Sequence, residues 1–249
     1  MKYFILMIQF FTTIPIKTSV SVEEEDFSKG LPFFPLVGLL IGLFNYTVFY
    51  AFSFFNKELL SVISWILANI IITGGLHLDG LADTCDGLLS SRDREKMLQI
   101  MKDSRIGTNG VLAIIMDLLI KLSLMFSLPI NLRPLAIISS VVLGKTIMLV
   151  LIYTTSYGRK DGIGGLFYKG ISKTNVAIGS MIGMIIILAI HSLRIIPILI
   201  LCIVSMVFYR KFVINKIGGI TGDTLGAANE LTEILFLFYI IVFERMGLL

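Results

Sequence analysis

Long apolar runs broken by short polar connections dominate this chain. Stretches near 32–55, 59–78, 107–128, 134–153, 174–190, 195–209 and 228–243 reach or approach the ~20 residues a helix needs to cross a bilayer. The pattern predicts an all-α, polytopic integral membrane bundle of about seven transmembrane helices. The fifth and sixth runs are short, and a hairpin broken near 191–194 is the other way to read them. No linker or low-complexity tract interrupts the plan, so 1–249 is expected to be a single domain. The N-terminal run Met1 to Ile16 lacks a small-residue cleavage site and is read as mature sequence lying in, or dipping into, the interface.

Composition supports the membrane reading. Of 249 residues, 56% are hydrophobic and only 15% charged, and the mean hydropathy is +0.91, well above a soluble domain. The net charge of +4 does not imply nucleic acid, because the basic residues are spread over loops instead of forming one patch. If all seven runs cross, the loops holding Lys2, Lys17 and Lys29, then Arg92 to Arg105, then Arg159 to Lys173, then Arg210 to Lys216 share one side. The other side holds only Lys57, Arg133, Arg194 and Arg245. The positive-inside rule places the first set, and the N-terminus, in the cytoplasm, with a multi-pass chain in the cell membrane. Cys85 and Cys202 are too isolated for a disulfide framework or a CxxC site, and two histidines make zinc chemistry an unattractive reading.

The acids fall on the same predicted side. In TGGLHLDGLADTCDGLL (73–89), Asp79, Asp83 and Asp86 follow i, i+4, i+7 and share a face if the second span continues as helix. Three clustered carboxylates at a low-dielectric boundary need a positive partner, and 73–91 holds no Lys or Arg. A hard divalent cation, Mg²⁺, is the first expectation. The alternative is a solvated helix end with glycines serving helix packing. A second cluster, KDSRIGT (102–108), follows a short amphipathic helix starting near Ser91. Lys102, Asp103, Ser104 and Arg105 with a Gly-Thr helix start read as a phosphate clamp, or as an ordinary positive-inside anchor. In the third, GGITGDTLGAANELTE (218–233), Asp223 is placed to complete the metal site and Glu230 faces the same way, although Thr221 or Thr224 capping a helix, with Asp223 at its positive end, explains the pattern too. GGLHLD and GGITGD form a weak internal echo. Within the third span Asp117 and Lys121 are set to pair at i, i+4, and Lys145 in the fourth is unexplained. His77 is read as a packing or hydrogen-bonding residue, and Cys85 as inert.

Carboxylates with Mg²⁺, an anion site and an apolar cavity suit transfer of a phospho-alcohol from a nucleoside diphosphate ester. Asp79-Gly80-Leu81-Ala82 looks like part of the CDP-alcohol phosphotransferase motif, but Asp83 stands where its Arg should follow. GGLHLDGLADTCDGL, MKDSRIGTNGVLA and GGITGDTLGAANELTE, with QFFTTIPI and FPLVGLLIG before them, resemble the adenosylcobinamide-GDP ribazoletransferase (cobalamin synthase) family along the whole chain. That resemblance implies a membrane enzyme, dependent on Mg²⁺, joining adenosylcobinamide-GDP to α-ribazole or its 5′-phosphate with release of GMP. It implies Asp79, Asp83 and Asp86 as metal ligands or base, and Lys102, Asp103 and Arg105 around the diphosphate. Asp223 and Glu230 come from the third motif, Lys121 falls where the family tends to place a lysine, and the resemblance implies substrate binding for Lys121 and Glu230. Cys85 and Asn109 depart from the usual residues. The expected partners are the two substrates and the bilayer, with no nucleic acid; a homo-oligomer stays open. The competing class is a secondary transporter coupled to Mg²⁺ or protons, with Asp117, Lys121 and Lys145 along its path.

Overall fold

The computed structural model describes residues 1–18 and 21–249. Among them the chain is all helical, with one isolated parallel bridge between Tyr157 and Ile220. The helices in order are α1 (Lys2–Phe11), α2 (Asp26–Gly30), α3 (Phe34–Ser53), α4 (Glu58–Thr73), α5 (Leu76–Leu88), α6 (Arg94–Ile100), α7 (Thr108–Ser127), α8 (Arg133–Thr154), α9 (Lys173–His191), α10 (Ile196–Ile217) and α11 (Gly222–Arg245). Six segments are long and apolar enough to span a bilayer, and the pair α4 and α5 makes a seventh if counted as one. The protein is a multi-pass membrane bundle.

Three expectations change in detail. The second span does not continue straight through the acidic stretch: α4 ends at Thr73, and α5 leaves at 89° to it. Gly74 and Gly75 make the break, both with left-handed backbone at φ 62° and 72°, a conformation that side-chain-bearing residues adopt at a cost. α5 is therefore turned out of the spanning direction, while its own register keeps Asp79, Asp83 and Asp86 at i, i+4, i+7. The fifth and sixth runs, expected to be short, form full helices of 19 and 22 residues. α10 continues past the apolar run through Tyr209 and Arg210, which donate to the Thr224 and Thr154 carbonyls, and Lys211, which is exposed. The last helix starts at Gly222, earlier than its apolar run, so Asp223 lies in its first turn.

α8 is the central post, with 83% of its hydrophobic window buried, whereas α7 and α9 bury only 22%. Exposed apolar side chains such as Leu112, Met116, Leu119, Met181, Ile185 and Phe208 make the outer surface one that lipid would cover. α1 packs inward, with Phe11 edge-on to Phe34 at 4.8 Å between ring centroids, and Lys2 pairs with Asp26 at 2.6 Å. Helix contact in a bilayer rests on close packing more than on water exclusion. α5 and α11 show this at Gly80, where an added Cβ would lie 2.8 Å from the Asp223 carbonyl oxygen and 3.3 Å from the Gly226 Cα. The two backbones touch there, which sets the acidic turns of α5 and α11 side by side.

Candidate active site

The polar segments meet at one end of the bundle. The α8–α9 connection is tied to the α10–α11 turn by Gly158 N–H to the Ile220 carbonyl at 2.8 Å and Ile220 N–H to the Ser156 carbonyl at 3.0 Å. Arg94 of α6 reaches across both, donating to the Ile217 carbonyl at 2.7 Å and the Gly158 carbonyl at 3.1 Å. The echo between GGLHLD and GGITGD has a local structural counterpart. Each glycine pair ends a long helix in left-handed backbone, at Gly74 and Gly218, and each aspartate stands in the first turn of the helix that follows.

The four aspartates have four different surroundings. Asp86 is buried and accepts two backbone N–H groups at the start of α7, Gly107 at 2.7 Å and Gly110 at 2.8 Å. It answers the unpaired donors and the positive end of that helix. Asp223 lies 2.7 Å from the guanidinium of Arg159, at the start of a helix that Thr221 and Thr224 cap reciprocally. Asp79 is exposed and lines two cavities. Asp83, half-buried on α5 beyond the 89° break, has its carboxyl pushed up to about 7 by burial and by the neighbouring carboxylates of Asp223 and Asp79. Asp86 therefore anchors the start of α7, and Asp86→Ala should lower stability by about 2 kcal/mol through loss of that clamp, read as an earlier unfolding midpoint in detergent. Unchanged stability with lost activity would instead return Asp86 to the ligand set.

Three cavities adjoin these groups. The largest, about 570 Å³, lies between α6 and the α8–α9 connection, among Arg94, Gln99, Lys102, Tyr157 and Arg159. A second of about 280 Å³ shares Tyr157 and Arg159 with it and has Phe10, Phe11, His77, Asp79, Phe167 and Asp223 in its wall. A third of about 290 Å³ shares Lys102 with the first and Asp79 with the second, and adds Asp83, Asp103 and Ser104. Arg105 stands outside: its guanidinium bonds Asp103 at 3.0 and 2.7 Å, which holds the Asp103 carboxyl at about 2. Of the expected clamp, Lys102, Asp103 and Ser104 face a cavity and the arginine fork faces its own neighbour.

The donor set sets a limit on a metal. Among the described residues, no three His, Cys, Asp or Glu side chains are grouped to hold an ion. Asp86 already accepts two backbone N–H groups and Asp223 faces Arg159, so Asp79 and Asp83 are the two of these four carboxylates with no such partner among the described residues. That fits Mg²⁺, which binds through one or two carboxylates together with substrate phosphates, better than a cation caged by protein alone.

Lys121 and Glu230 meet inside the bundle instead of in these cavities. Lys121 pairs with Glu230, with Glu233 at 3.1 Å and with Asp117 at 3.3 Å. The network extends through Asn229, which donates to Glu233 at 2.8 Å and accepts from Lys145 at 2.8 Å, and Lys145 lies 2.8 Å from His77 Nε2. Sequence reading passed over Arg159, Tyr157 and Asn229. The signal for the first two was the glycine-rich run YGRKDGIGG (157–165), unlike the other connections and read only for its charge.

Comparison with known proteins agrees with this picture. The chain is 44% identical, over all of both chains, to an adenosylcobinamide-GDP ribazoletransferase of Clostridium novyi (strain NT). It is 42% identical to one from Alkaliphilus metalliredigens (strain QYMF), covering 100% of this chain and 98% of the relative. A third, from Clostridioides difficile (strain 630), is 38% identical over 96% of this chain and 97% of the relative. No solved structure matches. Residues 3–241 match the description Cobalamin-5-phosphate synthase, and with relatives of this similarity along its length the chain belongs to the cobalamin-5-phosphate synthase family.

Proposed function

We propose that this membrane enzyme joins adenosylcobinamide-GDP to α-ribazole, or its 5′-phosphate, and releases GMP, at a site facing the cytoplasm in the cell membrane. The observation that carries the reading is the pair Asp79 and Asp83 in the wall of the third cavity, which shares Asp79 with the second and Lys102 with the first, while Arg159 lies between the first and second; among the described residues neither carboxylate has a cation in ion-pair contact. The names of the relatives supply the substrates. Asp79, open to two cavities, is the side chain placed to hold Mg²⁺ with the diphosphate. A Mg²⁺ ion bound there would neutralise phosphate charge and favour departure of the nucleotide.

The protein's own groups account for the rest. Lys102 and Ser104 present donors to the phosphates in the third cavity. Asp83, with a proton affinity near neutral, is suited to accept the proton of the attacking hydroxyl. The hydroxyl oxygen bonds to the phosphorus carrying the cobinamide, and the bond from that phosphorus to the bridging oxygen breaks. GMP leaves with the bridging oxygen. Phe10, Phe11 and Phe167 give the second cavity an apolar wall beside the acids, suited to the nonpolar surface of a large substrate.

The transporter reading required Asp117, Lys121 and Lys145 along a path. They are buried in contacts with one another's network instead, which favours a transferase over a carrier. Protein purified in detergent should form cobamide and GMP from adenosylcobinamide-GDP, α-ribazole and Mg²⁺, and should stop when EDTA is added. Folded protein that makes neither product with Mg²⁺ present would overturn the assignment, and transport of Mg²⁺ or protons in liposomes would then be measured.

A further inference from the structure

The environment of Arg159 is not explained by its ion pair. Its side chain is only 10% exposed, and among the described residues neither Nε nor Nη2 meets an acceptor in hydrogen-bonding geometry. Nη2 has the Asp223 carboxylate at 2.7 Å as its charge partner, which leaves Nε as the donor with nothing opposite it. Buried donors are nearly always bonded, and leaving them unbonded costs stability. A guanidinium in this state, in the wall of two cavities at once, is poised for an acceptor that the protein itself does not provide.

The neighbouring cations are placed differently. Arg94 spends Nε and Nη2 on the Ile217 and Gly158 carbonyls, and Arg105 spends its fork on Asp103. Lys102 is exposed at the rim and offers a point charge. Only a planar fork matches two oxygens of a phosphate group at once. The position is fixed from behind, since the bridge between Tyr157 and Ile220 anchors the connection that bears Arg159 to the turn preceding Asp223.

We propose that Arg159 grips the diphosphate of the nucleotide-bearing substrate, and that Asp223 holds the guanidinium ready between the two cavities until the diphosphate arrives. This rests on the transferase reading, because it takes the ligand to be a nucleoside diphosphate ester. It adds a binding residue from outside the three acidic and basic motifs, on a connection that sequence reading assigned to topology alone.

The test compares GDP with GMP by equilibrium binding in Mg²⁺, for wild type, Arg159→Gln and Arg159→Lys, with fold checked by size exclusion and transferase activity measured on wild type alongside. Wild type should prefer GDP. Arg159→Gln should weaken GDP by about tenfold or more while leaving GMP nearly unchanged, as expected for loss of charge-assisted hydrogen bonds. Arg159→Lys keeps a cation beside Asp223, guards against misfolding, and should lose part of the preference. A role limited to holding the fold would lower both affinities together, and that result would overturn the proposal. If wild type transfers but the variants keep its GDP preference, Arg159 is excluded and the transferase reading stands. If wild type makes no cobamide yet Arg159→Gln selectively loses GDP, the diphosphate grip stands and the transferase reading falls. If wild type does not bind GDP more tightly than GMP, the diphosphate grip falls, and the transferase reading stands or falls with the activity measured alongside.

Discussion

Asp83→Asn protein should fold, bind GDP and Mg²⁺ much as wild type does, and lose transfer by about 10²–10⁴-fold, the usual contribution of a positioned general base. The substitution keeps the shape of the side chain and removes its ability to take a proton. Little stability should be lost, because among the described residues no donor bonds Asp83: the causes that perturb it are burial and the charges of Asp223, Asp79, Arg159 and Asp86. Relieving like-charge repulsion should leave Asp→Asn neutral or slightly stabilising. Single-turnover release of GMP, with substrate saturating, reads the chemical step separately from binding. The companion Asp79→Asn separates the two roles, since it should raise the Mg²⁺ concentration needed for half-maximal rate. If instead Asp83→Asn shifts the Mg²⁺ requirement and full rate returns at high Mg²⁺, Asp83 is a ligand and the proton goes elsewhere.

How much of this was legible in the sequence depended on which forces fix each feature. Bilayer thickness sets a length that apolar runs must meet, so the spans could be read from the sequence, and α7 and α8 begin and end within a few residues of their apolar runs. The break at Gly74-Gly75 was hidden because a glycine pair in an apolar run serves helix packing as readily as a bend; only the left-handed backbone distinguishes them. The i, i+4, i+7 register of the acids survived the bend because all three lie beyond it. Their individual roles did not show, because these depend on groups far along the chain: backbone N–H of Gly107 and Gly110 for Asp86, and Arg159 for Asp223. A backbone donor carries no signal of residue type, and an arginine in a loop is indistinguishable from a topology determinant until its partner is placed. The pairing of Asp117 with Lys121 was local and could be read; the part played by Glu230, Glu233, Asn229 and Lys145 in the same network is tertiary and could not.

Lys121→Met should be the most destabilising single substitution in the bundle, by about 3–5 kcal/mol, the cost of removing one partner from a buried charge cluster. Lys121 is 3% exposed and touches three carboxylates, Asp117, Glu230 and Glu233, each as buried as itself. Methionine fills similar volume, so the effect arises from charge, not from a cavity. The three acids would be left facing one another within the bundle, with Lys145, held by His77 and Asn229, the nearest remaining cation of the network. Two readouts distinguish this structural role from the substrate-binding one that family resemblance assigns to Lys121 and Glu230. Unfolding in detergent should shift to lower denaturant, and adding Glu230→Gln to Lys121→Met should recover part of the loss by removing one orphaned charge. Substrate affinity of whatever folded fraction remains should be little changed, because neither side chain lies in the walls of the three cavities, which are linked in pairs through Asp79, Lys102 and Arg159. A variant as stable as wild type that fails to bind adenosylcobinamide-GDP would place Lys121 against the substrate. The network would then have to open on binding, with the buried carboxylates exchanging their lysine for a ligand.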